Sequence, residues 1–227
     1  MTPFRTLCLS AWLMLSPIPA LLAQTGNCAP ERIDKQLVKV YERDQAPRLK
    51  MMEALSQHQT DSSGQLALLS AMGKVELADR KNQRVVLKIL EACGWPQELA
   101  EESHQTIFLV LQHSDSALMA TYIPQVKEKV EQDLLAPDDW AIMYDRLLMW
   151  GQQAQVYGTQ AFADATDQQW IWPVASVEEL DERRAEVGLP TMQEYLRIVQ
   201  EETGLIIRWD PTLTLEAALE QEEGEAP

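Results

Sequence analysis

The chain has 227 residues, with 35 acidic and 19 basic side chains and a formal net charge of -16. An acidic surplus of that size repels polyanions, which excludes nucleic acid and anionic membrane surfaces as partners. The length is sufficient for one large domain with a core of its own.

The first residues carry one positive charge, Arg5, then the apolar run Leu7 to Leu15, a break at Pro17 and Pro19, and Leu21-Leu22-Ala23 before Gln24. That is the layout of a secretory signal peptide over residues 1–23, with cleavage near Ala23. The run is shorter than the roughly 20 apolar residues a spanning helix needs, so no membrane association is expected after cleavage. Cys28 follows Asn27 rather than a small residue, which argues against lipidation. Removal of the segment takes Cys8 with it and leaves Cys28 and Cys93 in a periplasmic or secreted setting that favours disulfides. One bridge between them is the natural inference, with two buried thiols as the alternative.

Beyond Pro30, apolar residues at Ile33, Leu37, Val40, Tyr41, Met52 and Leu55 recur at threes and fours, an amphipathic helix reaching about Gln57, with Pro47 expected to kink it. Thr60 to Gly64 reads as a loop, followed by helices over Leu66 to Met72 and Val75 to Cys93, parted at Gly73. Gly94-Trp95-Pro96 closes the second, and the next helix runs from Gln97 to His113. Its stretch Ile107 to Leu111 is apolar on every side, which predicts a central position. Helices over Ser116 to Leu135, bent at Pro124, and over Pro137 to Trp150 follow. Gln155 to Phe162 and Gln169 to Val174 are rich in aromatic and β-branched residues and read as a short hairpin, on which Trp170 and Trp172 alternate. Two capping boxes, Ser176 with Glu179 and Thr191 with Glu194, open two last helices, stopped by Gly188-Leu189-Pro190 and Gly204. The fold class expected is mainly α: a single-domain helical bundle or irregular helical array with one short β-hairpin near 155–174, spanning residues 24–209. Residues 210–227, with Glu216, Glu220, Glu222, Glu223 and Glu225, read as an acidic disordered tail.

Several predicted stripes carry polar residues where a core should be apolar. The first helix runs from Ile33, Leu37 and Tyr41 through Asp44 and Arg48 to Met52, and those two polar residues lie four apart, where they can pair. Asp79 and Asn82 interrupt the stripe leading to Cys93, Asp145 shares a face with Ala141 and Leu148, His113 lies over Leu109, and Arg184 falls among Val177, Leu180 and Val187. Burying such groups is costly unless they are paired or line a wet cavity. Two readings follow: a structural ion-pair network, or a pocket that positions a polar substrate and moves a proton.

Other chemistries find no support in the spacing. His104 and His113 fall on opposite faces of one helix and His58 sits beside a polar loop, so no metal site is read, and no cofactor. There is no glycine-rich phosphate loop and no Gly-x-Ser-x-Gly elbow. The seven tryptophans are read as packing, although Trp170 and Trp172 offer one face to a ligand.

The pieces Asp79-x-x-Asn82, Gly94-Trp95-Pro96, Gln112-His113-x-Asp115, Asp145-Arg146, Tyr157-Gly158-Thr159-Gln160 and Asp181-x-Arg183-Arg184-x-x-Val187-Gly188-Leu189-Pro190 together resemble an uncharacterised bacterial domain-of-unknown-function family. The resemblance implies a shared fold and a common site, with no activity to carry over. Two classes of function stand beside each other. One is an acid/base or hydrolytic enzyme with His113 as general acid or base and Asp115 or Asp145 orienting it. In that reading Asp44, Arg48, Asp79, Asn82, Gln112, Tyr157 and Gln160 face the substrate, and Arg184 holds an anionic group. The other is a non-catalytic periplasmic binding or interaction protein. The partner expected is a small polar ligand or a protein.

Overall fold

A computed structural model of the protein describes residues 27–56 and 62–223. The expected signal peptide, His58, the start of the predicted loop at Thr60 and the last four residues lie outside the described residues.

The protein is mainly α. Helix α1 (Pro30–Ser56) opens with proline at its first position, where a missing N–H costs nothing, while the Ala29 carbonyl accepts from Arg32 and Ile33. It runs through Pro47 without a break in assignment. Its buried residues are Ile33, Leu37, Val40 and Asp44, whereas Tyr41 and Met52 are exposed. The stripe is therefore turned by one residue from the expected line through Tyr41: Val40 fills the core position and the phenol stays in water.

Helix α2 (Ser62–Cys93) is continuous where two helices were expected. Glycine in a helix interior costs only about 1 kcal/mol relative to alanine, and α2 packs along α1, so tertiary packing outweighs the local break at Gly73. A disulfide joins Cys28, just before α1, to Cys93 at the end of α2, with Cα atoms 5.5 Å apart. By chain entropy such a closure is worth roughly 3 to 5 kcal/mol.

Helix α3 (Glu101–Gln112) begins four residues later than expected, because residues 97–99 are taken up by the turn after Gly94. The indole N–H of Trp95 donates to Nδ1 of His104 at 2.9 Å, tying that turn to the helix. Ser103, His104, Thr106, Ile107, Phe108, Val110 and Leu111 are all buried, so α3 is the central helix that its sequence predicts. Helices α4 (Ser116–Glu131) and α5 (Pro137–Trp150) pack against each other beside it. Together these five helices enclose a core that includes Leu37, Val86, Phe108, Leu111, Met119 and Met143.

After α5 the chain forms a three-stranded sheet: β1 (Ala161–Ala163) pairs antiparallel with β2 (Gln169–Ile171), and β3 (Ile207–Arg208) adds parallel to β2. The hairpin was legible; β3 was not. In the turn of the hairpin Asp164 accepts from the Thr166 backbone and hydroxyl, from Gln168 N–H and from the Trp170 indole. The Thr166 hydroxyl and the Trp170 indole lead these donors in holding its pKa down at about 2. Trp172 is buried, edge-on to Phe162, with its N–H on the Gln153 carbonyl. It is packing, not half of a ligand platform.

A short turn at Val177–Glu179 leads into α6 (Leu180–Glu186), followed by α7 (Met192–Thr203). Thr191 caps α7 through the Glu194 N–H as expected, but Ser176 caps nothing: it takes a left-handed conformation with φ 48°. Residues 215–223, expected to be disordered, form helix α8 (Leu215–Glu223), and Ala218 is fully buried with Phe162 and Trp172. The glutamates mislead because only a narrow face of α8 has to be apolar. Among the described residues no helix is long and apolar enough to cross a membrane.

Candidate functional site

The polar residues of the helical stripes gather in two places. The first is a corner formed by α1, α2 and the C-terminus of α3. Asp44, almost wholly buried, accepts from Arg48 Nε at 3.2 Å and from Gln45 at 2.9 Å. Arg48 reaches across to α2, where its Nη2 donates to Asp79 Oδ1 at 2.6 Å. His113 ends α3 and sets Nδ1 3.3 Å from Asp44 Oδ1. Asn82, one turn beyond Asp79, accepts from Arg43 Nη1 at 3.0 Å and is fully buried. Four-residue spacing on α1 and three-residue spacing on α2 put these groups on facing stripes, so the packing of α1 on α2 assembles the corner.

Burial alone would raise the Asp44 carboxyl, but the hydrogen bond and charge of His113, with Arg48 behind them, hold it below the ordinary aspartate value. Burial raises Asp79 above it in spite of Arg48. The imidazole of His113 is 22% exposed, against 1% for the Asp44 side chain. The corner thus has a buried carboxylate behind and a histidine in front that solvent can reach.

The second gathering is sealed. Asp145 on α5 is fully buried and accepts from the N–H groups of Val156 at 2.8 Å, Tyr157 at 3.1 Å and Thr159 at 3.1 Å, and from the Thr159 hydroxyl at 3.0 Å. Burial pushes its pKa up, yet every partner is a donor, so the carboxylate is the form the pocket satisfies. Arg184 on α6, also fully buried, donates to the carbonyls of Pro190 and Tyr157 at 2.6 Å each and lies over the Tyr195 ring. The Tyr157 peptide is therefore gripped from both sides, N–H by Asp145 and C=O by Arg184. Gln155, fully buried, bonds the backbone of Gln160 through both ends of its amide. Gly158, at φ 66°, sits where a Cβ would collide with Met192.

One residue links the two places. Arg146, next to Asp145 on α5, donates Nε to Gln160 Oε1 at 3.2 Å and Nη1 to the Gln112 carbonyl at 3.0 Å, at the residue before His113.

Of the residues singled out in the sequence, the structure brings Asp44, Arg48, Asp79 and His113 into direct contact, with Asn82 attached through Arg43. Asp145, Arg184, Tyr157 and Gln160 belong to the sealed loop, and Gln112 contributes its carbonyl to Arg146. Asp115 caps α4, accepting from Leu118 N–H at 2.9 Å. The carboxylate beside Nδ1 of His113 is Asp44, while Asp115 and Asp145 bond elsewhere and Arg184 is fully buried. Sequence reasoning quoted Arg146 only as half of the Asp145-Arg146 piece and gave neither it nor Gln155 a role, since neither falls on an apolar stripe.

Asp44, Asp79 and His113 offer ligand atoms within 4.8 Å of one another, a set of the size that holds a cation. No spacing in the sequence announced it. Arg48 already lies against both carboxylates and supplies the positive charge that a metal would bring.

Fold and site define a disulfide-tied helical protein with a polar corner at the end of its central helix. The chain belongs to a family of unknown function (DUF6624), whose profile matches residues 31–208. No curated protein and no solved structure matches it.

Proposed function

We propose that the corner at His113 is an acid/base site for a small polar substrate, in a protein exported to an oxidising compartment. The single observation that carries the reading is the pairing of a half-buried imidazole with a buried carboxylate, His113 Nδ1 to Asp44 Oδ1 at 3.3 Å. A carboxylate on one ring nitrogen fixes the tautomer and orientation of the ring and stabilises the imidazolium. The other nitrogen is then left to take or give a proton. Among the described residues no protein group bonds Nε2 of His113. Arg48 keeps Asp44 ionised, and Asp79 keeps Arg48 in place. The reaction class is proton transfer or hydrolysis, with Asp145 and Arg184 supporting the loop behind the site. Export is supported by the signal-like first residues and by the disulfide.

The test is a screen of the purified protein against simple ester, amide, phosphoester and enolisable substrates, with His113→Gln beside it. Turnover that falls at least about 100-fold in the variant, with its thermal midpoint kept, is the expected result. Turnover equal in both proteins, or none on any substrate class, overturns the reading.

A further inference from the structure

Burying a guanidinium away from water is costly unless an opposite charge accompanies it. Two of the partly buried arginines obey that rule, Arg48 on Asp44 and Asp79 and Arg183 within 3.7 Å of Glu179, while Arg43 donates to the neutral Asn82 amide. Arg146 does not obey it either. It is partly buried on α5, and its hydrogen bonds go to neutral oxygens, the Gln160 amide and the Gln112 carbonyl. Among the described residues no carboxylate lies within ion-pair distance of it. Its chain neighbour Asp145 is taken up by the loop at 156–159. Burial lowers the Arg146 pKa, and the charge of Arg48, of the same sign, lowers it further.

Arg184 also lacks a carboxylate partner, but it is sealed, with three carbonyl contacts and the face of Tyr195. Arg146 differs in being reachable. Nε and Nη1 are engaged and fix the plane of the fork, while Nη2 has no partner among the described residues. A fork held by two bonds with its remaining donors unassigned is preorganised for an oxyanion.

We infer that Arg146 is the anion-recognising residue of this corner, so that the substrate is a small molecule carrying a phosphate or carboxylate group. This rests on the reading of His113 as the proton carrier and names the substrate class of the same site. The Gln112 carbonyl ties Arg146 to the residue before His113, on the same side of the fold as the corner. Arg146 is a binding residue.

Inorganic phosphate and acetate, titrated into the protein by calorimetry, are the probes. Saturable binding of either, weakened at least about tenfold in Arg146→Gln and held within about threefold in Arg197→Gln, which removes an exposed arginine on α7 far from the corner, is the expected outcome. Preference for phosphate assigns a phosphoester substrate and preference for acetate a carboxylate. If Arg146→Gln does not fold, Arg146→Lys takes its place. It keeps the charge without the fork, and a loss of at least about threefold is expected. Unchanged affinity in the variant that folds, or no binding of either anion to the parent protein, overturns the inference. Anion binding without turnover leaves Arg146 standing and removes His113 as a catalyst. Turnover without anion binding does the reverse.

Discussion

The corner at His113 and the loop behind Asp145 are built from the same residue types, and both break the rule that helix stripes are apolar. They differ in what their charges meet. Around Asp145 and Arg184 the partners are mainly backbone N–H and C=O groups, with the Thr159 hydroxyl and the Tyr195 ring beside them, and both side chains are fully buried. Around Asp44 the partners are the side chains of Gln45 and Arg48 on its own helix and of His113 at the end of α3, a partly exposed imidazole. A charge enclosed by backbone fixes a conformation; a charge answered by movable side chains at a solvent-reached edge can change protonation or partner. The same composition thus serves structure in one place and, on the proposed reading, chemistry in the other.

The largest expected effect falls on the sealed side. Asp145→Ala strands the N–H groups of Val156, Tyr157 and Thr159 and leaves the loop unanchored, which costs roughly 3 to 5 kcal/mol. Urea denaturation of the variant measures it. A loss below about 1 kcal/mol would put both regions in the same class and break the comparison.

Next comes Asp44. Its folded-state pKa lies below the unfolded value, so the unfolded chain binds the proton more readily in acid. The stabilisation from Asp44 is therefore complete above the ordinary aspartate pKa and is lost as pH falls through the depressed one. At neutral pH Asp44→Asn is expected to cost about 1.5 to 3 kcal/mol, the range for hydrogen bonds to charged groups. The gap between variant and parent should close on acidification. A gap that stays constant from pH 7 to about pH 2 would mean that the carboxylate is not linked to the fold.

His113→Gln is expected to cost no more than about 1 kcal/mol, because a partly exposed ring contributes one hydrogen bond to Asp44 and little packing. Thermal denaturation beside Asp145→Ala gives the contrast directly. Equal losses in the two would make His113 a structural residue.

The sequence told which residues break the stripes, and that Asp44 and Arg48 can pair within one helix, but not which residues of different helices meet. Periodicity is local, and it identified Asp44, Asp79, Asn82, Asp145 and Arg184 because each sits among apolar neighbours one turn away. Pairing is long-range: 69 residues separate Asp44 from His113, and nothing local in either helix encodes that contact. The helix over Pro137–Trp150 was read to the residue because proline at the first helical position is a local signal. Strand β3 escaped for the opposite reason, since two residues acquire their conformation from β2 alone. Gly73 misled because a breaker's local cost is small beside the packing of a long helix. Arg146, quoted beside Asp145 in the resemblance, was given no role because it stands one position off the stripe that marked Asp145.

The smallest effect expected is a gain. An added Cβ at Gly73 meets nothing within 4 Å, and the residue lies inside α2 with helical neighbours on both sides. Gly73→Ala therefore removes backbone freedom from the unfolded chain without strain and should stabilise by about 0.4 to 1 kcal/mol. Because α2 carries Asp79 and Asn82 into the corner but contributes nothing to the loop at 155–160, the substitution also asks whether the two regions unfold together. Hydrogen exchange read by mass spectrometry should show protection rising by the same factor in α2 and in the strands at 161–171 if they form one cooperative unit. A rise confined to α2 would separate the His113 corner from the sealed loop as an independently opening part. That would extend their difference from chemistry to dynamics.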